Sequence, residues 1–333
     1  MILSFKKAAW CLFFCLPALL ITNQNSLALD KKASSALSHY IMGVMHEDLG
    51  ETDKAIEEYK KALKADQESA VIHLNLASSY LKKNDLPSAI EELKASIKID
   101  PDAIEPRAIL ALVYTSLNKP ELARSEYEVA LRNAARIHPD NPDIYKTLGI
   151  LYIQGGKFRE AEGAYRMVVK LSPDDPEARF YLATIYKELK KNELAEKEIQ
   201  RALQLKPDYH EALNFLGYFY LEEDRNISKA GQLIGKALAL EPDNGAYIDS
   251  MGWFYFKKGN YKAALRELTK ASALVEDPVI YDHIGDAYFK IKDISNARLN
   301  WEKSLSLNPK QDSVRKKIEG LINERAANQN TGR

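Results

Sequence analysis

Apolar residues recur at every third or fourth position in two runs within residues 142–175, and the dipeptide Gly155-Gly156 separates the runs. This spacing places the apolar side chains of each run on one face of an α-helix. A glycine pair between periodic runs is typical of a tight turn. The segment therefore predicts two amphipathic helices, the second ended by Pro173, because proline lacks an N–H and clashes with the preceding turn.

The same pattern repeats along most of the chain. Small residues such as Gly149 and Ala161 are expected where two paired helices cross, and tyrosines such as Tyr165 are expected to fill the space between pairs. The segment from 104 is about one helical turn longer than the others, which predicts an extended second helix ending near Ile137. The eight segments are 36–69, 70–103, 104–141, 142–175, 176–209, 210–244, 245–277 and 278–311.

These segments resemble the tetratricopeptide repeat, a helix-turn-helix unit of 34 residues. In the segment 142–175 the resemblance is carried by Leu148, Gly149, Tyr152, Gly156, Ala161, Tyr165 and Pro173. It implies an all-α fold, a right-handed α-solenoid (superhelix) in which about eight helix pairs stack, since one pair cannot bury its apolar faces alone. Residues 312–325 predict a capping helix after the array, and the polar residues 326–333 predict a disordered tail.

The start of the chain has the layout of a secretory signal peptide. Lys6 and Lys7 precede an apolar run over 8–21, and small residues surround a plausible cleavage site after Ala28. The apolar run is shorter than the about 20 residues that a membrane-spanning helix needs. We therefore expect residues 1–28 to be removed, residues 29–35 to form a lead-in, and the protein to be periplasmic or secreted. An uncleaved N-terminal membrane anchor is the alternative.

Cysteine use and charge narrow the possible partners. Cys11 and Cys15 are the only cysteines and both lie within residues 1–28, so the expected mature chain has no disulfide and no thiolate metal site. The 47 basic and 47 acidic side chains balance. A nearly neutral chain argues against nucleic acid as the main partner, because phosphate binding needs an excess or a stripe of basic residues.

The sequence shows no constellation of residues for catalysis. It contains no His-Glu-x-x-His motif, no phosphate-binding Gly-x-x-x-x-Gly-Lys-Ser/Thr loop and no Gly-x-Ser-x-Gly nucleophile elbow. His39 and His46 lie seven residues apart on one predicted helix, but without a third ligand nearby they are better interpreted as polar filling than as a metal site. We therefore predict that the protein is not an enzyme and has no cofactor and no metal.

The resemblance implies that the first helix of each repeat lines a concave groove. On those helices the later part of the array carries large aromatic and acidic residues, which predict the partner site, because exposed aromatics often mark contacts. The residues are Phe180, Tyr181, Phe215, Tyr218, Trp253, Phe256, Asp249, Asp282 and Asp286. The aspartates would favour a basic flank on the partner. The alternative is that the aromatics pack between neighbouring repeats.

Together these features predict a non-enzymatic protein–protein interaction scaffold or adaptor of the bacterial cell envelope. It would hold one or more envelope proteins or peptides in the groove and reach the membrane only through them. Two alternatives are open at this point. The chain could be a regulatory or substrate-delivery subunit of an envelope protease, cell-wall hydrolase or glycosyltransferase, or it could assemble with itself into a scaffold.

Overall fold

A computed structural model describes the backbone of residues 24–331 and the side chains of residues 31–321. This part of the chain consists of α-helices and short connections and contains no strand, so the predicted all-α class is confirmed. The predicted signal peptide lies outside the described residues up to residue 23, and residues 24–28 begin the first helix. The described residues divide into two compact units, unit 1 up to residue 134 and unit 2 from residue 135.

Unit 1 is built from helix pairs in which consecutive helices pack against each other. Its apolar cores lie between the paired helices and include the fully buried Tyr59 and Leu93. The last helix runs across the boundary between the units, and it ends at Ile137 as the position of Pro139 predicts. The helices are α1 (Gln24–Asp48), α2 (Thr52–Ala65), α3 (Ala70–Lys82), α4 (Leu86–Ile99), α5 (Glu105–Ser116) and α6 (Pro120–Ile137).

Unit 2 continues the same alternation of packed helices. Its helices are α7 (Pro142–Gln154), α8 (Phe158–Leu171), α9 (Pro176–Glu188), α10 (Asn192–Leu205), α11 (His210–Glu222), α12 (Ile227–Leu240), α13 (Gly245–Lys257), α14 (Tyr261–Leu274), α15 (Pro278–Lys290), α16 (Ile294–Leu307) and α17 (Asp312–Thr331). The helix α17 continues past the predicted capping helix 312–325 to Thr331, within the segment predicted as a disordered tail. Ala326 and Ala327 favour helix, and no glycine or proline interrupts the chain between them and Gly332.

The turn within a pair depends on a residue in the left-handed region of φ. Gly156 has φ +67° between α7 and α8, where a side chain would be strained. Asn84 has φ 57° in the corresponding turn of unit 1, and asparagine tolerates this conformation better than most residues. The turn between α11 and α12 is one residue longer and contains two such residues, Asp224 and Asn226. The extra residue seen in the sequence is therefore absorbed by the turn.

Paired helices approach closely where the sequence places a small residue. The ring of Tyr165 on α8 lies directly against Gly149 on α7, so a Cβ at Gly149 would overlap it. Tyr165 is fully buried and also stacks on Tyr181 of α9, with ring centroids 5.1 Å apart. Ala161 is completely buried in the same pair. One tyrosine thus contacts both the partner helix and the following pair.

A set of polar contacts that recurs in several repeats, which we call the polar clip, joins a helix pair to the segment before it. On α9, the Nη1 atom of Arg179 lies 2.6 Å from Oε2 of Glu198 on α10, and its Nη2 atom donates to the carbonyl of Pro173. Arg107 repeats both contacts with Glu126 and Pro101 in unit 1. The partners are in both cases 19 residues later and six residues earlier in the chain. The clip therefore follows the repeat of the sequence.

None of the helices described over residues 24–331 combines the length and the apolar character that a membrane span needs.

Candidate functional site

A cavity of about 550 Å³ opens on unit 2 between the first helices of successive pairs. Its lining comes mainly from α9, α11, α13 and α15, which the sequence places at corresponding positions of successive repeats. The lining residues are Phe180, Glu211, Asn214, Phe215, Tyr218, Glu222, Ala246, Tyr247, Asp249, Ser250, Val275, Asp277, Val279 and Ile280. Four of the nine residues predicted for the partner site, namely Phe180, Phe215, Tyr218 and Asp249, are among them.

Aromatic rings form one wall of this cavity. Phe180 meets Phe215 edge to face, with ring centroids 6.0 Å apart. Phe215 in turn stacks on the buried Phe219, which fixes the ring from behind. Tyr218 is largely enclosed, and this burial raises the pKa of its phenol well above the usual range. The hydroxyl of Tyr218 is therefore a neutral hydrogen-bonding group beside an apolar surface.

Trp253 belongs to a stacked group next to this wall. Its indole lies nearly parallel to the His283 imidazole at 4.1 Å and to the Phe256 ring at 4.4 Å. His283 and Asp249 are both buried, and Nδ1 of His283 lies 2.9 Å from Oδ1 of Asp249. Trp253 also packs against the core around α11 and α12. Phe180 and Phe215 line the cavity and, like Trp253, also pack against this core.

Asp282 and Asp286 are occupied by a lysine of the C-terminal helix. The Nζ atom of Lys317 on α17 lies 2.7 Å from Oδ1 of Asp282 and 2.8 Å from Oδ2 of Asp286. Trp301 Nε1 donates to Asp286 at 3.1 Å. Burial nevertheless raises the pKa of the Asp286 carboxyl. Asp286 and Phe256 line a separate cavity of about 300 Å³ beneath α17, so these two predicted residues lie away from the larger one.

Other carboxylates supply the negative charge of the larger cavity. Glu211, Glu222 and Asp277 line it together with Asp249, and its described lining includes no lysine or arginine. Lys187 lies at the margin, 2.7 Å from Glu222 and above the rings of Phe215 and Tyr218. These carboxylates were not among the residues predicted for the partner site, which were aromatics and aspartates of the last two repeats.

Asn214 contributes an unpaired polar atom to the cavity. Its Oδ1 atom is buried, and it has no hydrogen-bond partner among the described residues. A buried acceptor without a donor costs about 1–3 kcal/mol, so an ordered water or a ligand normally satisfies such a group. Asn214 directly precedes Phe215 on α11, and its position on the first helix of a repeat was the signal that could have identified it.

The histidines of α1 have separate partners. Nδ1 of His39 lies 2.6 Å from Oε2 of Glu58, and Nδ1 of His46 lies 2.7 Å from Oε2 of Glu51. Across the side chains described for residues 31–321, no group of three or more histidines, cysteines or carboxylates is arranged to hold a metal ion. His39 has the position of Arg179 in the polar clip, since both pair with a glutamate 19 residues later.

Comparison with protein families gives matches to models described as tetratricopeptide repeat. One matches residues 48–113, a second matches residues 110–176 and again residues 146–210, and a third matches residues 279–311. Together the matched residues make up more than half of the 333 residues. No curated protein matches the chain.

Solved structures share the fold. A tetratricopeptide repeat protein from Parabacteroides merdae is 18% identical, with a TM-score of 0.57 over 76% of this chain and 98% of that chain. A structure of the APC/C hetero-tetramer Cut9-Hcn1 is 16% identical, with a TM-score of 0.55 over 87% of this chain and 70% of that chain. At these identities the likeness concerns the arrangement of helices alone.

Proposed function

Since the chain belongs to the tetratricopeptide repeat family, whose members generally mediate protein–protein interaction, we propose that it binds a segment of a partner protein in the cavity of unit 2. The fold is typically a non-catalytic interaction scaffold. The protein acts as a scaffold or adaptor, and the bound segment carries at least one apolar side chain and one lysine or arginine.

The composition of the cavity lining supports this proposal. Phe180 and Phe215 offer a rigid apolar wall, and aromatic anchors of this kind dominate the energy of many interfaces. Glu211 and Asp277 provide charge that attracts basic side chains, which raises association rates at low salt. The unpaired Oδ1 atom of Asn214 can accept a hydrogen bond from a backbone N–H of the segment.

A pair of matched variants tests the site. Val279 on α15 lines the cavity and is 43% exposed, while Val71 on α3 has the corresponding position in unit 1 and is 49% exposed. The purified protein would first be used to capture partners from an envelope extract, and the captured partner would be identified by mass spectrometry. Its affinity would then be measured for Val279→Lys and for Val71→Lys.

We expect Val279→Lys to weaken binding at least about tenfold, because it places a positive charge and a flexible chain in an apolar, acidic cavity that holds a basic segment. Val71→Lys should bind as the parent does. Both variants should keep the parental melting temperature, since exposed substitutions usually change stability by less than about 0.5 kcal/mol. Equal binding by the two variants would place the partner outside this cavity and contradict the proposal.

We also propose that the protein works in the periplasm or outside the cell. The support is the signal-peptide layout of residues 1–28, with a basic start, an apolar run over 8–21 and a plausible cleavage site after Ala28. N-terminal sequencing of protein from fractionated cells should recover a start near Leu29 in the soluble envelope fraction. Recovery of intact Met1 in a membrane fraction would favour the N-terminal anchor instead.

A further inference from the structure

The first helix of the described array carries an unusual apolar surface. Side chains that would face a preceding helix are exposed on α1. We call this surface the α1 stripe; it consists of Leu37, Ile41, Met42 and Met45 of α1 and of Leu49 in the turn that follows, all of which are exposed. Leu37, Ile41 and Met45 follow each other at intervals of four residues, so they lie along one side of the helix.

Later helices show what normally covers these positions. On α13, Met251 precedes the crossing residue Gly252 and Phe254 follows it by two, and both contact α12, the helix before α13. On α11 the corresponding residues, Leu216 and Phe219, are each 2% exposed.

On α1 the crossing residue is Gly43, whose neighbours at the same positions are Met42 and Met45. These two methionines are 40% and 53% exposed. The α1 stripe therefore has the composition of an inter-repeat contact without its neighbour among the described residues. An exposed end of a repeat array is normally polar, because an apolar end favours association.

Charge is arranged with opposite signs at the two ends of the stripe. Near its N-terminal end, Lys31 and Lys32 share a shallow cavity of about 420 Å³ with Lys61 and Lys64 of α2. At its C-terminal end lies the exposed Asp48. Glu51 in the turn is paired with Lys54 and His46, and Glu47 is paired with Lys82 of α3. The negative charge offered at this end is therefore that of Asp48, opposite the lysines at the other end of the stripe.

This arrangement is complementary to itself when one copy is rotated by 180°. A two-fold axis at Ile41 pairs the residue with its own copy and pairs Leu37 of one chain with Met45 of the other, because these residues lie four positions to either side. The same rotation brings Lys31 of each chain toward the exposed Asp48 of the other. A surface of this kind makes the isologous contact that two-fold dimers use.

From this symmetry we propose that two copies of the chain associate through antiparallel packing of their α1 stripes, forming a homodimer centred on Ile41. The dimer joins the chains at the face that the helix array leaves apolar. The stripe shares no residue with the cavity of unit 2, so this inference does not depend on the proposed function of that cavity.

Sedimentation velocity over about a hundredfold range of concentration tests the dimer, since its population follows mass action. The parent protein should shift from monomer to dimer. Ile41→Lys places two ammonium groups together at the axis and should raise the dimer dissociation constant at least about tenfold. Leu299→Lys, on an exposed leucine of α16, is the matched control and should dimerise as the parent does.

A charge exchange separates this arrangement from other contacts. Lys31→Glu alone and Asp48→Lys alone each place like charges together and should weaken the dimer, while the double variant should restore it. As a check that does not depend on affinity, Ile41→Cys should form an intermolecular disulfide on mild oxidation, and Leu299→Cys should not. A parent protein that stays monomeric, an effect of Ile41→Lys no larger than that of Leu299→Lys, failure of the double variant to recover, or no cross-link in the Ile41→Cys variant would each overturn the proposal.

Discussion

Asp249 and His283 form a buried contact between neighbouring repeats, with Oδ1 of the carboxylate 2.9 Å from Nδ1 of the imidazole. Asp249→Ala would leave the imidazole in the same enclosed position without its acceptor. We expect the free energy of unfolding to fall by about 1–3 kcal/mol, because a buried polar group without a partner costs its desolvation. Urea unfolding monitored by circular dichroism measures this change.

A surface ion pair provides the control for that measurement. Arg298 and Glu302 are separated by one helical turn on α16, and both are about half exposed. Glu302→Ala should change stability by less than about 1 kcal/mol, because exposed pairs contribute little. Equal losses for Asp249→Ala and Glu302→Ala would mean that the Asp249–His283 contact is no more important than a surface pair.

A second prediction concerns the crossing of α7 and α8. Ala161 is 0% exposed, so Ala161→Leu should overpack the pair and lower stability by about 1–3 kcal/mol. Ala239→Leu, on an exposed alanine of α12, makes the same chemical change without that constraint and should be nearly neutral. The melting temperatures of the two variants and the parent measure this difference. An Ala161→Leu variant as stable as the parent would be evidence against a close crossing there.

These packing features were readable from the sequence because they follow a period. Gly149, Ala161 and Tyr165 recur at fixed offsets, and a fixed offset in a helix pair implies a fixed neighbour. The all-α class and the end of α6 at Ile137 follow from the same argument and the positions of proline. The extension of α17 to Thr331 does not follow from it, because residues 326–331 carry no apolar period.

The site was only partly predictable, for a physical reason. A position on a first helix tells which face a side chain occupies, but it does not tell what meets it from another repeat. Asp282 and Asp286 were expected to attract a partner, whereas Lys317 lies 31 or more residues away in sequence and reaches both. The unpaired state of Asn214 likewise depends on which donors the neighbouring helices bring near, and no single segment encodes that.

A third prediction uses the opposite pKa shifts of two carboxyls. Burial raises the pKa of Asp286, so the native state takes up a proton more readily than the unfolded chain does. As the pH rises from the ordinary aspartate pKa to the raised pKa of Asp286, ionisation of this carboxyl lowers the free energy of unfolding. Below the ordinary aspartate pKa the carboxyl is protonated in both states and causes no loss of stability. Relative to Asp286→Asn, the parent should gain stability as the pH falls from 7 toward about 4.

Glu196 should show the reverse dependence. The hydrogen bond from Arg225 lowers the pKa of this carboxyl. The ionised carboxylate therefore contributes to the free energy of unfolding above the ordinary glutamate pKa, and this contribution is lost as the pH falls toward the lowered pKa of Glu196. Relative to Glu196→Gln, the parent should therefore lose stability in acid. Urea unfolding of the parent and both variants at several pH values gives the two slopes, and slopes of the same sign would contradict the assignment.

A fourth prediction separates the stability of Asn214 from its use in binding. Asn214→Leu removes a buried carbonyl that has no described donor, so stability should be unchanged or higher, while affinity for a captured partner should fall about tenfold or more. Asn133→Leu is the contrast, because Nδ2 of Asn133 donates to the carbonyl of Asp102 at 3.0 Å, and its loss should destabilise unit 1. Chemical denaturation and binding titrations provide the two measurements, and a destabilised Asn214→Leu protein would show that the amide serves the fold.

The polar clip occurs at the same offset in two consecutive repeats of unit 1, so removal of one of these repeats would keep its contacts. In unit 1 the carbonyl of Pro101 accepts from Arg107, and the carbonyl of Gln67 lies 3.4 Å from Nε2 of His73. In both contacts the side chain comes six residues after the carbonyl. Excision of residues 70–103 would put Gln67 six positions before Arg107 and leave Glu126 where Arg107 already meets it. Loss or duplication of the repeat 70–103 in the gene would therefore recreate the clip at the new junction. Where two neighbouring repeats both carry the clip, the chain can change its length by one repeat while that junction stays bonded.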